Sequence, residues 1–393
     1  RLRSPRMPPA LSIHAPPLSP GWLPLIDGVA RRTLGPFDRT GDPLVHEIRQ
    51  LSERYTRRGG ALRDAVAERA ARLRFFLPRD LPKIGGPLAE LALADALPKE
   101  RAWRVLDVGA GLGTTSLGAA AFARGLALPP PRLEVLALER EPTLLDGMHG
   151  LVEALAAHPE LGVPITLKSS AVDLEQGGLP SGTFDLIVMG LSLNELFEGA
   201  ADAIERRAQL LERLASRLAE DGSLILVEPA LSETSREVMA LRDVLFALGT
   251  TSIFAPCPAG TAHCPLLDRQ RDWCHEDLPL SLPPALAQLA KKAGLRFEGL
   301  SYAYLTLRRG PALSEVLGGA ARVVGGPIHT KGRSEIHVCH EGKHRRLNVL
   351  DRDGGGEMAG ARRGALLSLT VKEPREVLRW GRDAEGRVVR PIR

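Results

Sequence analysis

Apolar residues recur at helical spacing in PLVHEIRQLSERYTRRGGALRDAVAERAARLRFFL, from Pro43 to about Leu77, with a break at Gly59-Gly60; two helices are predicted. A third, PLAELALADALP, precedes Trp103. From 104 to 230 the apolar runs RVLDVG, RLEVLALE, PITLKSSA, FDLIVMGLSL and GSLILVEPA alternate with the helical stretches TTSLGAAAFARGL, PTLLDGMHGLVEALAAH and AIERRAQLLERLASRLA. Short buried strands alternating with helices predict a parallel, doubly wound α/β sheet. Helices are expected at about 232–247 and 283–293, and RFEGLSYAYLTLRR alternates like a strand. Beyond Ala321, ARVVGGPI, SEIHVCHE, HRRLNVLD and GALLSLTV are separated by turn residues, which predicts a small β domain, barrel-like in its short strands. The expected division is a disordered leader (1–40), a helical cap (41–100), the sheet domain (101–250), a Cys-rich segment (251–300) and a basic β domain (301–393).

The chain has 393 residues, 44% hydrophobic and 25% charged, which is ordinary for a soluble globular protein. No apolar run approaches the roughly 20 residues that span a bilayer, so no membrane partner is expected. The opening RLRSPRMPPALSIHAPPLSPGWLP has no acid before Asp27, but its five prolines between Pro8 and Pro20 would break the amphipathic helix of a transit peptide. The net charge of +5 hides an asymmetry: residues 1–100 and 296–393 carry +6 and +8, and residues 101–295 carry −9. Basic flanks around an acidic middle suit a polyanion such as RNA, or simply a solvated Arg-rich surface.

VLDVGAGLGTTSLGAA puts Asp107, Gly109, Gly111 and Gly113 after a strand and before a helix, the context in which backbone N–H groups and a helix N-terminus meet a ligand. Glu139 ends the next strand, where a carboxylate can accept both hydroxyls of a ribose. The D-x-G-x-G-x-G form departs from the G-x-G-x-x-G of dinucleotide sites and resembles motif I of the class I S-adenosylmethionine methyltransferases. That resemblance implies S-adenosylmethionine as cofactor, Glu139 on its ribose, Asp173 of SSAVDLEQ on its adenine amine, and Asp107 orienting the loop. After the fourth strand, FDLIVMGLSLNEL occupies the place of the substrate motif, where Asp185 and the candidate catalytic residues Asn194 and Glu195 fall. Asn194 and Glu195 orient substrate or cap the next helix. No N-P-P-Y is present, and the Pro-Cys step at Cys257 lies too far past the fifth strand to serve as the nucleophile of an RNA cytosine-C5 enzyme.

Three of the four cysteines, Cys257, Cys264 and Cys274, share the loop APCPAGTAHCPLLDRQRDWCHED, and Cys339 lies about 65 residues on. The spacing matches no C-x2-C zinc knuckle, and a reducing compartment would keep disulfides from forming. Four thiolates around a soft metal centre are therefore expected, zinc or iron-sulfur, with His263 and His275 as substitute ligands for zinc. A methyltransferase core followed by APCP, HCPL, DWCHED and then RSEIHVCHEG resembles the methyltransferase-like small-ribosomal-subunit assembly family, known in mitochondria as ribosomal small subunit protein twenty-two or methyltransferase-like protein seventeen, with bacterial members. The resemblance runs from about residue 45 to 370. It implies a 4Fe-4S cluster on Cys257, Cys264, Cys274 and Cys339, and association with rRNA and the small ribosomal subunit during its maturation. Arg322, Lys331 and Arg333, in ARVVGGPIHTKGRSEIHVC, would meet phosphate. The family's Arg-Lys-rich stretch is here only ARRGALLS. The function expected is that of an S-adenosylmethionine-dependent, methyltransferase-like iron-sulfur protein acting on rRNA or the small ribosomal subunit during assembly or translation, with a non-catalytic assembly factor or a small-molecule methyltransferase as alternatives, in the bacterial cytoplasm or the mitochondrial matrix.

Overall fold

The computed structural model describes residues 18–56, 68–258, 261–317 and 319–390. The Gly59-Gly60 break and most of the Pro-rich leader lie outside the described residues. Within the expected leader, however, Trp22–Thr33 is a helix, α1, whose Trp22, Leu25, Ile26, Val29 and Ala30 form a buried stripe. Their i, i+3, i+4 spacing explains the packing, so the helical cap begins near residue 22 instead of 41. It continues through α2 (Gly41–Thr56), a run of short helical turns over 69–84, and α3 (Gly85–Leu93).

The central sheet contains β1 (Trp103–Val108), β2 (Leu133–Glu139), β3 (Ile165–Ala171), β4 (Phe184–Gly190), β5 (Leu218–Pro229), β6 (Ser252–Ala255), β7 (Glu276–Ser281) and β8 (Glu298–Arg308). Its order is β3-β2-β1-β4-β5-β8-β6, with β7 also on β8. The first five strands are parallel, and β8 runs antiparallel to β5, β6 and β7. This corrects two expected boundaries: the sheet domain extends to Arg308, and the Cys-rich segment is not a separate unit because β6 and β7 are strands of the same sheet. The fold is the doubly wound class I methyltransferase sheet.

Side-chain alternation along the strands explains the layering. Val105, Leu186, Val188, Ile225 and Val227 face one core with the cap, α4 (Thr114–Arg124) and α5 (Pro142–Ala156). Leu106, Ile187, Met189, Leu224 and Leu226 face the other core with α6 (Ala203–Ala215) and α7 (Ser232–Leu248). The helix α8 (Pro284–Ala293) packs on α2.

The second sheet is curled and separate: β9 (Ala320–Val323), β10 (Ile328–Thr330), β11 (Arg333–His340), β12 (Lys343–Leu350), β13 (Leu366–Val371), β14 (Val377–Arg379) and β15 (Ala384–Arg390), ordered β14-β12-β11-β9-β13-β15 with β10 on β11. In β11, Ser334, Ile336, Val338 and His340 are buried and the residues between them are not, the signature of a strand with one face on a core. No helix among the described residues is long and apolar enough to cross a membrane.

Candidate cofactor cleft and cysteine centre

The glycine loop leaves β1 and turns into α4 through three left-handed residues, Gly109 (φ 67°), Gly111 (φ 54°) and Gly113 (φ 78°). At two of them a side chain has no room: a Cβ on Gly109 would lie 2.6 Å from the Ser192 hydroxyl, and one on Gly113 would lie 2.7 Å from Met148. Gly111 has open space around it, so here the left-handed backbone alone calls for glycine. Gly109 and Ala110 donate to the carbonyl of Leu138, which fastens the loop to the end of β2. There the Glu139 carboxylate accepts from the N–H groups of Gly111 (2.8 Å), Arg140 (2.8 Å) and Glu141 (3.1 Å). Asp173, two residues beyond β3, accepts from Glu175 N–H. Asp107 is fully buried and accepts from the Ser116 hydroxyl at 2.5 Å; burial pushes its pKa up to about 6. The cofactor-binding residues expected from sequence therefore gather at the C-terminal ends of β1, β2 and β3, where doubly wound sheets hold ligands.

The turn after β4 abuts this loop through the Ser192 contact with Gly109. Its flanking residues Leu191 and Phe197 both have positive φ, 59° and 57°, conformations costly for side chains of this size. Two buried ionisable groups hold it there. Glu228, near the end of β5, accepts from Leu193 N–H at 2.9 Å. Arg207 on α6 donates to the carbonyls of Leu196 (2.9 Å) and Asn194 (3.1 Å) and pairs with Glu237 at 2.8 Å. Burial lifts the Glu228 pKa to about 8, with the negative charge of Glu195 adding to the shift and the Leu193 and Asn194 N–H groups opposing it. Glu195 is exposed, and partial desolvation raises its pKa against the opposing charge of Arg72 from the cap. The cap also supplies Tyr55, edge-on to Phe76 at 5.6 Å with the Arg72 guanidinium 5.6 Å over its ring, and the buried pair Lys83 and Asp80 at 3.0 Å.

Asp185 is not part of this cleft. It lies at the opposite, N-terminal end of β4, where Arg101 and Arg104 both bind it and hold its pKa down to about 2 against its burial. Glu228, Arg207 and Lys83 were not singled out from sequence. Glu228 had a readable signal: like Glu139, it is the acid at the end of an apolar strand.

The cysteines converge. Cys264, Cys274 and Cys339 pack with Met239, Leu266, Trp273 and Val324, and Cys257 follows the cis Ala255-Pro256 peptide at the end of β6. Burial first, then the charges of the other thiols, push Cys264 and Cys274 up to about 12 and Cys339 well above the ordinary thiol range; Cys257 contributes to all three shifts. All four are free thiols. Arg242 opposes the shifts at Cys264 and Cys339, and Arg322 and Arg363 oppose that at Cys274. Trp273 Nε1, Arg242 Nε and Arg322 Nη2 are buried donors with no acceptor. Four thiols in one neighbourhood, ringed by cations and unused N–H donors, fit a bound group that carries negative charge and acceptor sulfurs. Among the described residues no three Cys, His, Asp or Glu side chains form a set that could hold a metal ion. His263 is not a substitute ligand, because Asp243 and Asp268 take its two ring nitrogens at 2.9 Å each. His275 stacks on Trp273 and bonds that residue's carbonyl.

Of the three residues expected to meet phosphate, two are exposed: Lys331 lies in the turn between β10 and β11, and Arg333 opens β11. Arg322 is not. It is 3% exposed and ion-paired to Glu90 of α3, because β9 is buried along its length.

Among solved structures, a precorrin-6y C5,15-methyltransferase from Geobacter metallireducens GS-15 aligns at 15% identity with a TM-score of 0.32, over 56% of this chain and 88% of that one. A methyltransferase from Pyrococcus furiosus aligns at 15% and 0.34, over 58% and 83%. A SAM-dependent methyltransferase from Aquifex aeolicus aligns at 14% and 0.31, over 59% and 99%. Likeness at these scores adds no weight to the strand order. No curated protein sequence matches the chain. A family model described as mitochondrial small ribosomal subunit Rsm22 matches residues 88–365.

Proposed function

The chain belongs to the Rsm22 family of mitochondrial small ribosomal subunit proteins, and on that premise we propose that it is an S-adenosylmethionine-binding, iron-sulfur-containing factor that acts on rRNA of the small ribosomal subunit during assembly. The observation that carries the cofactor reading is the left-handed glycine loop fastened to β2 beside the Glu139 carboxylate. Glu139 would accept the ribose hydroxyls, Asp173 the adenine amine, and buried Asp107 would keep the loop in place. When bound, the cofactor supplies an electrophilic methyl group. The chain's part is alignment: Glu228 and Arg207 fix the 193–196 turn, and Asn194 and Glu195 face the acceptor.

Cys257, Cys264, Cys274 and Cys339 would hold a 4Fe-4S cluster, whose net negative charge suits Arg242, Arg322 and Arg363. Zinc is less well supported, since Zn–S bonds of about 2.3 Å require four thiols closed on one ion. Lys331 and Arg333, exposed on the β10–β11 hairpin, are the proposed phosphate contacts. Of the two compartments considered, the family's mitochondrial description favours the matrix over the bacterial cytoplasm.

A second reading, an assembly factor without methyl transfer, is favoured by the turn after β4, which offers Asn194 and Glu195 but no N-P-P-Y and no cysteine. One experiment tests both: map rRNA crosslinks and methyl marks in cells with the wild-type gene, without it, and with Gly111→Asp, which adds a carboxylate beside Glu139. Crosslinks to small-subunit rRNA are expected in the wild type, and their absence overturns the proposal. A mark missing from both altered strains assigns an enzyme; crosslinks with every mark retained assign the assembly factor.

A further inference from the structure

Arg322 belongs to the basic segment by sequence and to the cysteine centre by position. On β9 it stands directly opposite Cys339 of β11. Its Nε donates to the carbonyl of Pro256, the residue before Cys257, at 2.9 Å. It lines a small cavity together with Cys274, His275, Glu276 and Tyr304. Three of the four cysteines are thus tied to one guanidinium by register, by a hydrogen bond to the neighbouring carbonyl, or by a shared cavity wall. Its Nη1 is committed to Glu90 and to the carbonyl of Gly364. Its Nη2 is buried and has no acceptor. A buried guanidinium N–H without a partner is costly, and the other donors of this side chain are satisfied by Pro256, Glu90 and Gly364.

We propose that Arg322 is the positioning residue of the cysteine centre: it holds strand β9, the Pro256 turn and the Glu90 helix in one register, and its free Nη2 donates to a cluster sulfur. The inference rests on the iron-sulfur reading above. Hydrogen bonds to sulfur and nearby positive charge are the protein's means of tuning a cluster, because both favour the more negative, reduced state. Glu90 opposes that effect by drawing on the same charge. The two residues therefore act on the cluster with opposite sign.

The test uses the full chain, reconstituted anaerobically with iron and sulfide, in four forms: wild type, Glu90→Gln, Arg322→Lys and the double variant Glu90→Gln/Arg322→Met. The double variant avoids stranding a buried carboxylate if Arg322→Met alone fails to fold. Readouts are bound iron, the midpoint potential from a redox titration, and the rate at which visible absorbance is lost in air. Relative to wild type, Glu90→Gln is expected to shift the potential positive and the double variant negative, with several-fold faster bleaching in the double variant. Arg322→Lys, which keeps the charge and loses the fork, should fall between the double variant and wild type. Equal potentials and bleaching rates across iron-loaded forms overturn the role of Arg322 and leave the cluster standing. Wild-type protein that takes up no iron overturns the cluster and the inference together.

Discussion

At the scale of single residues, the cleft is built from acids whose ionisation burial disfavours. Glu228 shows the consequence for stability. Its folded-state pKa of about 8 stands above the ordinary 4.5, so between those values the folded protein keeps a proton that the unfolded chain has released. Stability therefore falls as pH rises through that window, by about 1.4 kcal/mol per unit at its steepest. Glu228→Gln keeps an acceptor for Leu193 N–H and removes the charge. It should raise the thermal midpoint above pH 8 and have little effect below pH 4.5, with the gain growing between the two; a pH-independent effect in thermal melts would refute the buried-carboxylate account. Residue identity was legible in sequence where local context dictated conformation. Gly109, Gly111 and Gly113 could be read because a strand, a turn and a helix surround them. Arg322 could not be: a cation in a basic segment reads as surface, and only the ladder that puts it opposite Cys339 shows that it points inward.

At the scale of elements, close approach between helices positions the cleft. Gly118 on α4 meets the helical turn at 81–84, and a Cβ there would lie 2.2 Å from the backbone oxygen of Leu81. Backbone cannot swing aside as a side-chain tip can. Gly118→Ala gains up to about 1 kcal/mol in helix propensity and loses more, about 1–3 kcal/mol, to overpacking. The expected net is destabilisation in denaturant titration; a more stable variant would mean that the cap is not seated on α4. Strand and helix types over 104–230 followed from periodicity, since each element buries one regular face. The ends of the sheet domain did not, because β6, β7 and β8 enter it only through long-range antiparallel pairing, which no local pattern encodes.

At the scale of the whole molecule, cap, sheet and small β domain are joined by one buried set of charges. Glu90 of α3 accepts from Arg322 of β9, Arg390 of β15 and the Tyr304 hydroxyl of β8, and Arg390 also pairs with Glu276 of β7. Two carboxylates and two guanidinium groups balance in the interior. Breaking one partnership strands the rest, so Arg390→Met is expected to cost about 3–5 kcal/mol, measured by chemical denaturation. A cost below 1 kcal/mol would show that water reaches the set. From sequence, this joint was invisible, since its members are scattered over 300 positions and look like ordinary surface charges.

The same joint bears on how the protein is made. Glu90 leaves the ribosome 232 residues before Arg322 and 300 before Arg390. At roughly 5–20 residues per second, the helix that carries it waits about 15–60 s for its last counter-ion. During that interval the growing chain holds an uncompensated acid where its core will be, so the cap cannot lock down early. The two halves of the molecule close on each other only after Arg390 has emerged.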